Sequence, residues 1–415
     1  MLQIDHVYEF FAKTLFSDYC IYSLPGGVYE NKTIDNIHGI NDMDIINIPS
    51  TELTMLFIDQ EPILPNAVYP YIEVFKYLAS IKTVPEYMQR KLDGSLLFGL
   101  GVDPSLGPRM NIPEFLLKTP TIFVVSEKSR LANDIAKDTV VSLLYYFFHG
   151  FAAIDWFRGY YAMNHNKQIV KEYTYDFISM NRLIITDRSY RCYLVSKFAE
   201  MDLLKNGSVS FGLNSDWRDE VQSADTKLSP SAVSHINEHL PKIRTPIIID
   251  REDVHGYASA DIPSQIDDSF WHIVSETVFY YNKLHLTEKI FKPIVSKQPF
   301  MLIGAAGNLE YLKSYGFRTF SSIIDESYDR KVIPDTRIEM VVGQLKWYCD
   351  LSAKDKLDVM REIEPIVEYN FHHFYGEFKH IITTELIDNC KDLFKKIDYD
   401  DSNIVYSDIY KTLVN

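Results

Sequence analysis

Residues 286–312 read LTEKIFKPIVSKQPFMLIGAAGNLEYL, and the side chains able to do chemistry come first. Thr287 is an N-cap residue type, so a helix beginning at Glu288 would present free backbone N–H groups and a positive dipole end. Lys289 and Lys292 are three apart and share a face of that helix. Together these features suit a diphosphate, and Glu288 can accept two hydrogen bonds from a ribose diol. The same spacing also suits a plain capped surface helix braced by a Glu288–Lys292 pair. Pro293 removes a hydrogen bond inside the second turn, which predicts a distorted helix start. Downstream, PFMLIG predicts a buried strand. The small residues from Gly304 to Gly307 would then let a ligand approach the backbone. That turn matches neither the dinucleotide fingerprint nor a P-loop, and it also fits an ordinary strand–helix connection.

Two further clusters carry charge at strand ends. In FISMNRLIITDRSYR (177–191), Asn181, Arg182, Arg188 and Arg191 follow an apolar run, and the arginines suit anion recognition. Solvated charge at a helix start would look the same. In MLFIDQEPI (55–63), Asp59 and Glu61 follow a buried strand directly. Either could act as general base toward an acceptor hydroxyl, and Asp59 could equally cap a turn. The DxD spacings at 42–44 and 398–400 are expected by chance in an acidic chain and are not read as metal sites. Adjacent His372 and His373 diverge on a helix and read as packing. No metal site is therefore expected.

The elements that must position these groups read as α/β. Strands are expected at YCIYSL (19–24), LTMLFID (53–59) and TIFVVSE (121–127), with helices at 71–80 and 138–153. After a polar stretch at 163–175 the pattern restarts. YDFISM, SVSFGL, TPIIID (245–250) and PFMLIG read as strands, and RSYRCYLVSKFAEMDLLKNG reads as a helix ended by Gly207. From about Thr336 onward the chain reads as helical. The expected organisation is two open α/β domains in series, 1–165 and 172–350, and a helical tail (351–415) packing back across the domains. Such domains bind ligands where strand C-termini point loops into a cleft.

The segment HLTEKIFKP resembles the YVTEK donor-binding motif of the α-1,3-fucosyltransferase family. Three blocks in order, 59–62 (DQEP), 177–191 and 287–320, resemble glycosyltransferase-like proteins of tailed bacteriophages. The resemblance implies a GT-B fold, with two Rossmann-like domains facing across a cleft, an N-terminal acceptor domain (1–165) and a C-terminal nucleotide-sugar-binding domain (172–350). It implies a metal-independent, inverting hexosyl or pentosyl transferase using a UDP- or GDP-sugar, with no further cofactor. Glu288 would bind the donor ribose and Lys289 its phosphates. Arg182 and Arg191 would add phosphate contacts, and Glu61, with Asp59 second, would be the base. His285 stands where the family motif has tyrosine. The implied acceptor is a hydroxymethylated pyrimidine in phage DNA, in the host cytoplasm; a saccharide or protein acceptor and a non-catalytic binding role are the alternatives.

Bulk composition narrows the classes. The chain has 415 residues, 46% of them hydrophobic, enough for two cores. A net charge of −15 argues against a surface built for non-specific nucleic-acid binding, though it leaves room for a basic groove. Four scattered cysteines without CxxC spacing read as free thiols. No apolar run reaches the roughly 18 residues of a membrane helix, and the first residues lack signal-peptide character, so a cytoplasmic protein without a membrane partner is expected.

Overall fold

A computed structural model of the chain describes residues 20–23, 37–39, 54–58, 121–129, 141–212, 216–223, 226–247, 262–280 and 283–414, with Val7, Asn133 and Ile249. The chain divides into two compact units, Met1–Phe151 with His380–Asn415, and Ala152–Lys379.

The first unit holds a sheet of β1 (Cys20–Ser23), β2 (Ile37–Gly39), β3 (Thr54–Ile58), β4 (Thr121–Val125) and β5 (Val141–Tyr145) in the order β2-β1-β3-β4-β5. Every pairing is parallel. The second unit holds β6 (Tyr175–Asn181), β7 (Gly207–Phe211), β8 (Ser269–Ser275) and β9 (Phe300–Ile303) in the order β9-β8-β6-β7, again all parallel. In both sheets the unit's first strand lies between its second and third. The strand order therefore reverses after the second strand, and in open α/β sheets such a switch point, at the carboxyl ends of the first and third strands, is where ligands bind. The α/β class expected from the sequence is what the structure shows.

Burial explains why these segments are strands. Every residue of β8 (SFWHIVS) is buried, as a parallel strand covered on both faces requires. Trp271 is fully buried, with its ring at 5.4 Å from Phe320 and 6.0 Å from Tyr348. His272 is buried beside it. Burial, with help from the charge of Lys292, pushes its pKa down to about 3, so the ring is neutral and meets Gln298 Oε1 at 3.2 Å. The helices Pro334–Cys349, Ala353–Tyr375, Glu377–Ile397 and Tyr406–Val414 confirm the helical C-terminal region. Residues up to Lys379 belong to the second unit and those from His380 to the first. Among the described residues no helix is long and apolar enough to cross a membrane.

Several sequence expectations are corrected. Residues 138–153 do not form one helix: β5 is followed by the helix Phe148–Phe157. The run VSLLYYFF is apolar but for Ser142, so periodicity cannot separate a buried strand from a buried helix there. Strand β8 went unrecognised because Trp, His and Ser interrupt its apolar character. The segment TPIIID contributes one antiparallel bridge, Ile247 to Phe211, rather than a strand among its described residues. The expected helix at 71–80 lies outside the described residues.

Gly207 does not end a helix either. The helix Tyr190–Glu200 stops earlier, and Asp202 takes the left-handed conformation at φ 56°. Gly207 opens β7, where a Cβ would lie 2.3 Å from Phe177 Cζ. Close packing against that ring is what requires glycine. Gly207→Ala should destabilise the second unit by about 1–3 kcal/mol through overpacking. Adding Phe177→Leu should restore part of the loss; a thermal-unfolding double-mutant cycle with purely additive effects would remove this explanation.

Candidate functional site

Glu276 follows the last residue of β8, and its N–H extends the ladder to Ile303 O at 2.9 Å. Its carboxylate is completely buried. Oε1 accepts from Thr287 N at 3.2 Å, and Oε2 accepts from Thr287 Oγ1 at 2.6 Å and Thr277 N at 3.3 Å. These bonds bring the start of the helix Glu288–Val295 to the carboxyl edge of the sheet. Thr287 caps that helix as its residue type predicts, accepting from Lys289 N at 3.4 Å. Pro293 lies inside the helix, which still runs for eight residues.

The Lys289 ammonium sits on this scaffold. It donates to Glu288 Oε1 at 2.9 Å, Thr287 Oγ1 at 3.2 Å and Thr277 Oγ1 at 3.3 Å. Its side chain keeps 30% exposure, while that of Glu288 keeps 6%. Lys289 is thus a solvent-reaching cation held by a buried carboxylate and two hydroxyls. Burial raises the pKa of Glu276, and the Glu288 charge adds to this, while Lys289 and the bonds from Thr287 oppose it.

Asn181 and Arg191 belong to the same edge but act on protein groups. Asn181 is fully buried; its Nδ2 donates to Ser179 Oγ and its Oδ1 accepts from Ser275 Oγ, each at 2.9 Å. Its carboxamide therefore couples β6 to β8 at the switch point. Arg191 is buried, donating to Leu183 O and Ser275 O at 2.8 Å each. Its neighbour Tyr190 donates its hydroxyl to Glu276 O at 2.6 Å. The start of the helix Tyr190–Glu200 thus stitches together the carboxyl ends of two strands. Arg182 directly follows β6 and is half-buried, as is Arg188 in the short turn Thr186–Arg188.

Two expected donor contacts sit differently. Lys292 is buried one turn into its helix, where its charge reaches His272 in mid-strand. Gly304 follows β9 and packs against Glu276; a Cβ there would meet Glu276 Cβ and Cγ at 3.6 Å, an ordinary contact. The turn beyond it is closed by the protein itself. The Asp329 carboxylate accepts from Leu309 N at 3.0 Å and Glu310 N at 3.3 Å, filling the start of the helix Asn308–Ser314. The first N–H groups of that helix are therefore satisfied within the protein.

The two expected bases, Asp59 and Glu61, lie outside the described residues. In the first unit, Glu127 lies two residues beyond the end of β4. It is buried and accepts from Ser129 Oγ at 2.5 Å. Beside it a cavity of about 430 Å³ is lined by Glu127, Lys128, Ser129, Tyr145, Asn389 and Asp392. Sequence reasoning passed over Glu127 and Glu276 alike. The signal for Glu127 was present, a carboxylate two residues beyond an apolar strand. For Glu276 it was hidden with β8.

The raised pKa of Glu276 has a definite sign in stability. Ionising it in the folded state costs free energy, so its penalty is absent below the ordinary carboxylate range and grows as pH rises through the raised pKa. Glu276→Gln should therefore gain thermal stability relative to the parent as pH rises above the ordinary carboxylate range, about pH 4. A melting-temperature difference that stays flat or moves the other way over that range would contradict this placement of the carboxylate.

No known protein family, curated protein or solved structure matches the chain.

Proposed function

We propose that the chain is a metal-independent glycosyltransferase of GT-B type, moving a sugar from a UDP- or GDP-sugar to an acceptor hydroxyl. The observation that carries this reading is the half-exposed Lys289 ammonium at a capped helix start, beside the switch point of a parallel sheet. Two all-parallel sheets, each with its first strand between its second and third, support it further as the two Rossmann-like domains.

In this reading Lys289 and the N–H groups following Thr287 receive the donor diphosphate. Both are fixed before the ligand arrives and so stabilise charge that grows on the leaving group without reorganising. Glu288, already paired with Lys289, is the carboxylate for the ribose diol. Arg182 remains a phosphate contact, whereas Arg191 and Asn181 act as braces because their hydrogen bonds go to strand carbonyls and hydroxyls. A first-unit carboxylate, Glu61 or Asp59 or the buried Glu127, takes the acceptor proton, and a single displacement inverts the anomeric carbon. The acceptor proposed is a hydroxymethylated pyrimidine of phage DNA, to which a base must be presented outside the stack.

A thermal-shift panel of uridine and guanosine diphosphates and their sugars tests the reading. A ligand at about 100 times its dissociation constant should stabilise the chain by about 2.7 kcal/mol. Lys289→Ala should weaken that binding about 10- to 100-fold, as expected for loss of a charged hydrogen-bonding partner. Absence of any shift with both nucleotides would overturn the proposal. Binding without transfer to hydroxymethylated DNA or to saccharides would make the chain a binding protein.

A further inference from the structure

The helix Tyr190–Glu200 starts at the carboxyl edge of the second sheet and runs back toward its amino edge, where β7 begins. Its eleven residues carry the chain about 16 Å from the Arg191 end. At its far end Glu200 meets His235 and His239 of the helix Pro230–His239. One ligand atom from each of these side chains lies within 4.8 Å of the other two. The two histidines are one turn apart on one helix face, and their rings stack with centroids 4.4 Å apart.

A neighbouring hydroxyl fixes which nitrogen of His235 is free. Ser196 Oγ donates its proton to Tyr193 O at 2.7 Å, so it accepts from His235 Nδ1 at 3.0 Å. Nδ1 then carries the proton, and Nε2 presents its lone pair. That Nε2 is buried, makes no hydrogen bond of good geometry, and faces Glu200 Oε2 at 3.2 Å. In the neutral ring two acceptor atoms thus confront each other, an arrangement that a cation between them relieves. The Ser196 contact is the kind of outer-shell bond that orients imidazole ligands in metal sites.

We propose that Glu200, His235 and His239 bind a divalent transition-metal ion of the zinc class. Two imidazoles and one carboxylate are a donor set that suits zinc and disfavours magnesium and calcium, which prefer oxygen. Tetrahedral zinc holds its ligand atoms about 3.3 Å apart. Glu200 and His239 end their helices and keep exposure on one side, so small rotations close the set, and solvent supplies the fourth ligand. The present partners of the rim residues are Lys197, ion-paired with Glu200, and Glu238, 3.5 Å from His239 Nε2. The ion would displace both. It would clamp two helices at the edge opposite Lys289, and so serve structure rather than the proposed sugar transfer.

The full chain, stripped with a chelator and held near neutral pH, should be titrated with zinc chloride by calorimetry. A cobalt(II) titration read by visible absorption should accompany it. The expected result is a single zinc per chain, the intense d–d bands of four-coordinate cobalt, and no response to magnesium. His235→Ala and His239→Ala should abolish binding, and Ser196→Ala should weaken it about 10- to 100-fold. If His235→Ala fails to fold, Glu200→Gln and His239→Gln at the exposed rim carry the same test. Failure to bind zinc would leave Glu200 and His235 as a simple ion pair, and zinc binding unchanged in the rim variants would place the ion elsewhere; either result overturns the proposal.

Discussion

A carboxylate with no access to water, Glu276, sits where strand β8 ends, and the second unit's candidate site is arranged around it. A buried carboxylate needs partners in proportion to the hydration it has lost. Glu276 finds them in Thr287 and Thr277, so satisfying one acidic group fixes both the approach of the chain to its strand end and the start of the next helix. Thr287 serves twice, donating its hydroxyl proton to Glu276 and accepting from Lys289 N. The orientation of the helix terminus therefore follows from a hydrogen-bond requirement as much as from apolar packing.

The rest of the helix Glu288–Val295 is held so firmly that its first turn has little freedom. Phe291 packs with its ring 5.5 Å from Phe374 and 5.2 Å from Phe378. At the other end Asn164 donates to Val295 O at 2.8 Å, and Lys167 donates to Ser296 O at 2.9 Å. Lys297, buried and at φ 50°, reaches His165 O at 2.6 Å and Glu368 at 2.8 Å. Asn164 and Lys167 thus satisfy carbonyls at the helix C-terminus that would otherwise be orphaned. A helix buried along its length, including Lys292 and Pro293, trades surface solubility for a rigid terminus.

Legibility in the sequence followed burial. Strands β1, β3, β4, β6, β7 and β9 are short apolar runs ended by turn or polar residues, and such runs are readable. β8 was not, because its Trp271, His272 and Ser residues are accommodated by tertiary partners that local pattern cannot announce: Tyr348 and Phe320 for the indole, Gln298 for the imidazole. The same gap hid Glu276. The cap at Thr287 was legible from residue type, and so was the proximity of Lys289 and Glu288. The difference between Lys289, which reaches solvent, and Lys292, which does not, depends on which helix face meets the sheet. Three-residue spacing cannot supply that when every face is covered.

The arginine cluster makes the same point about charge. Asn181 and Arg191 stand beside the switch point, as anion-binding groups would, yet their polar atoms are directed at Ser179, Ser275 and Leu183. A parallel sheet leaves carbonyls unpaired at its carboxyl edge, and a guanidinium with donors in a fixed fork meets two of them at once. Such bracing rigidifies the edge without presenting its charge to a ligand. Lys289, by contrast, keeps exposure while its ammonium is held by Glu288, Thr287 and Thr277. A cation fixed in this way on a rigid, carbonyl-stitched edge is a preorganised arrangement, because its position is set by the fold itself.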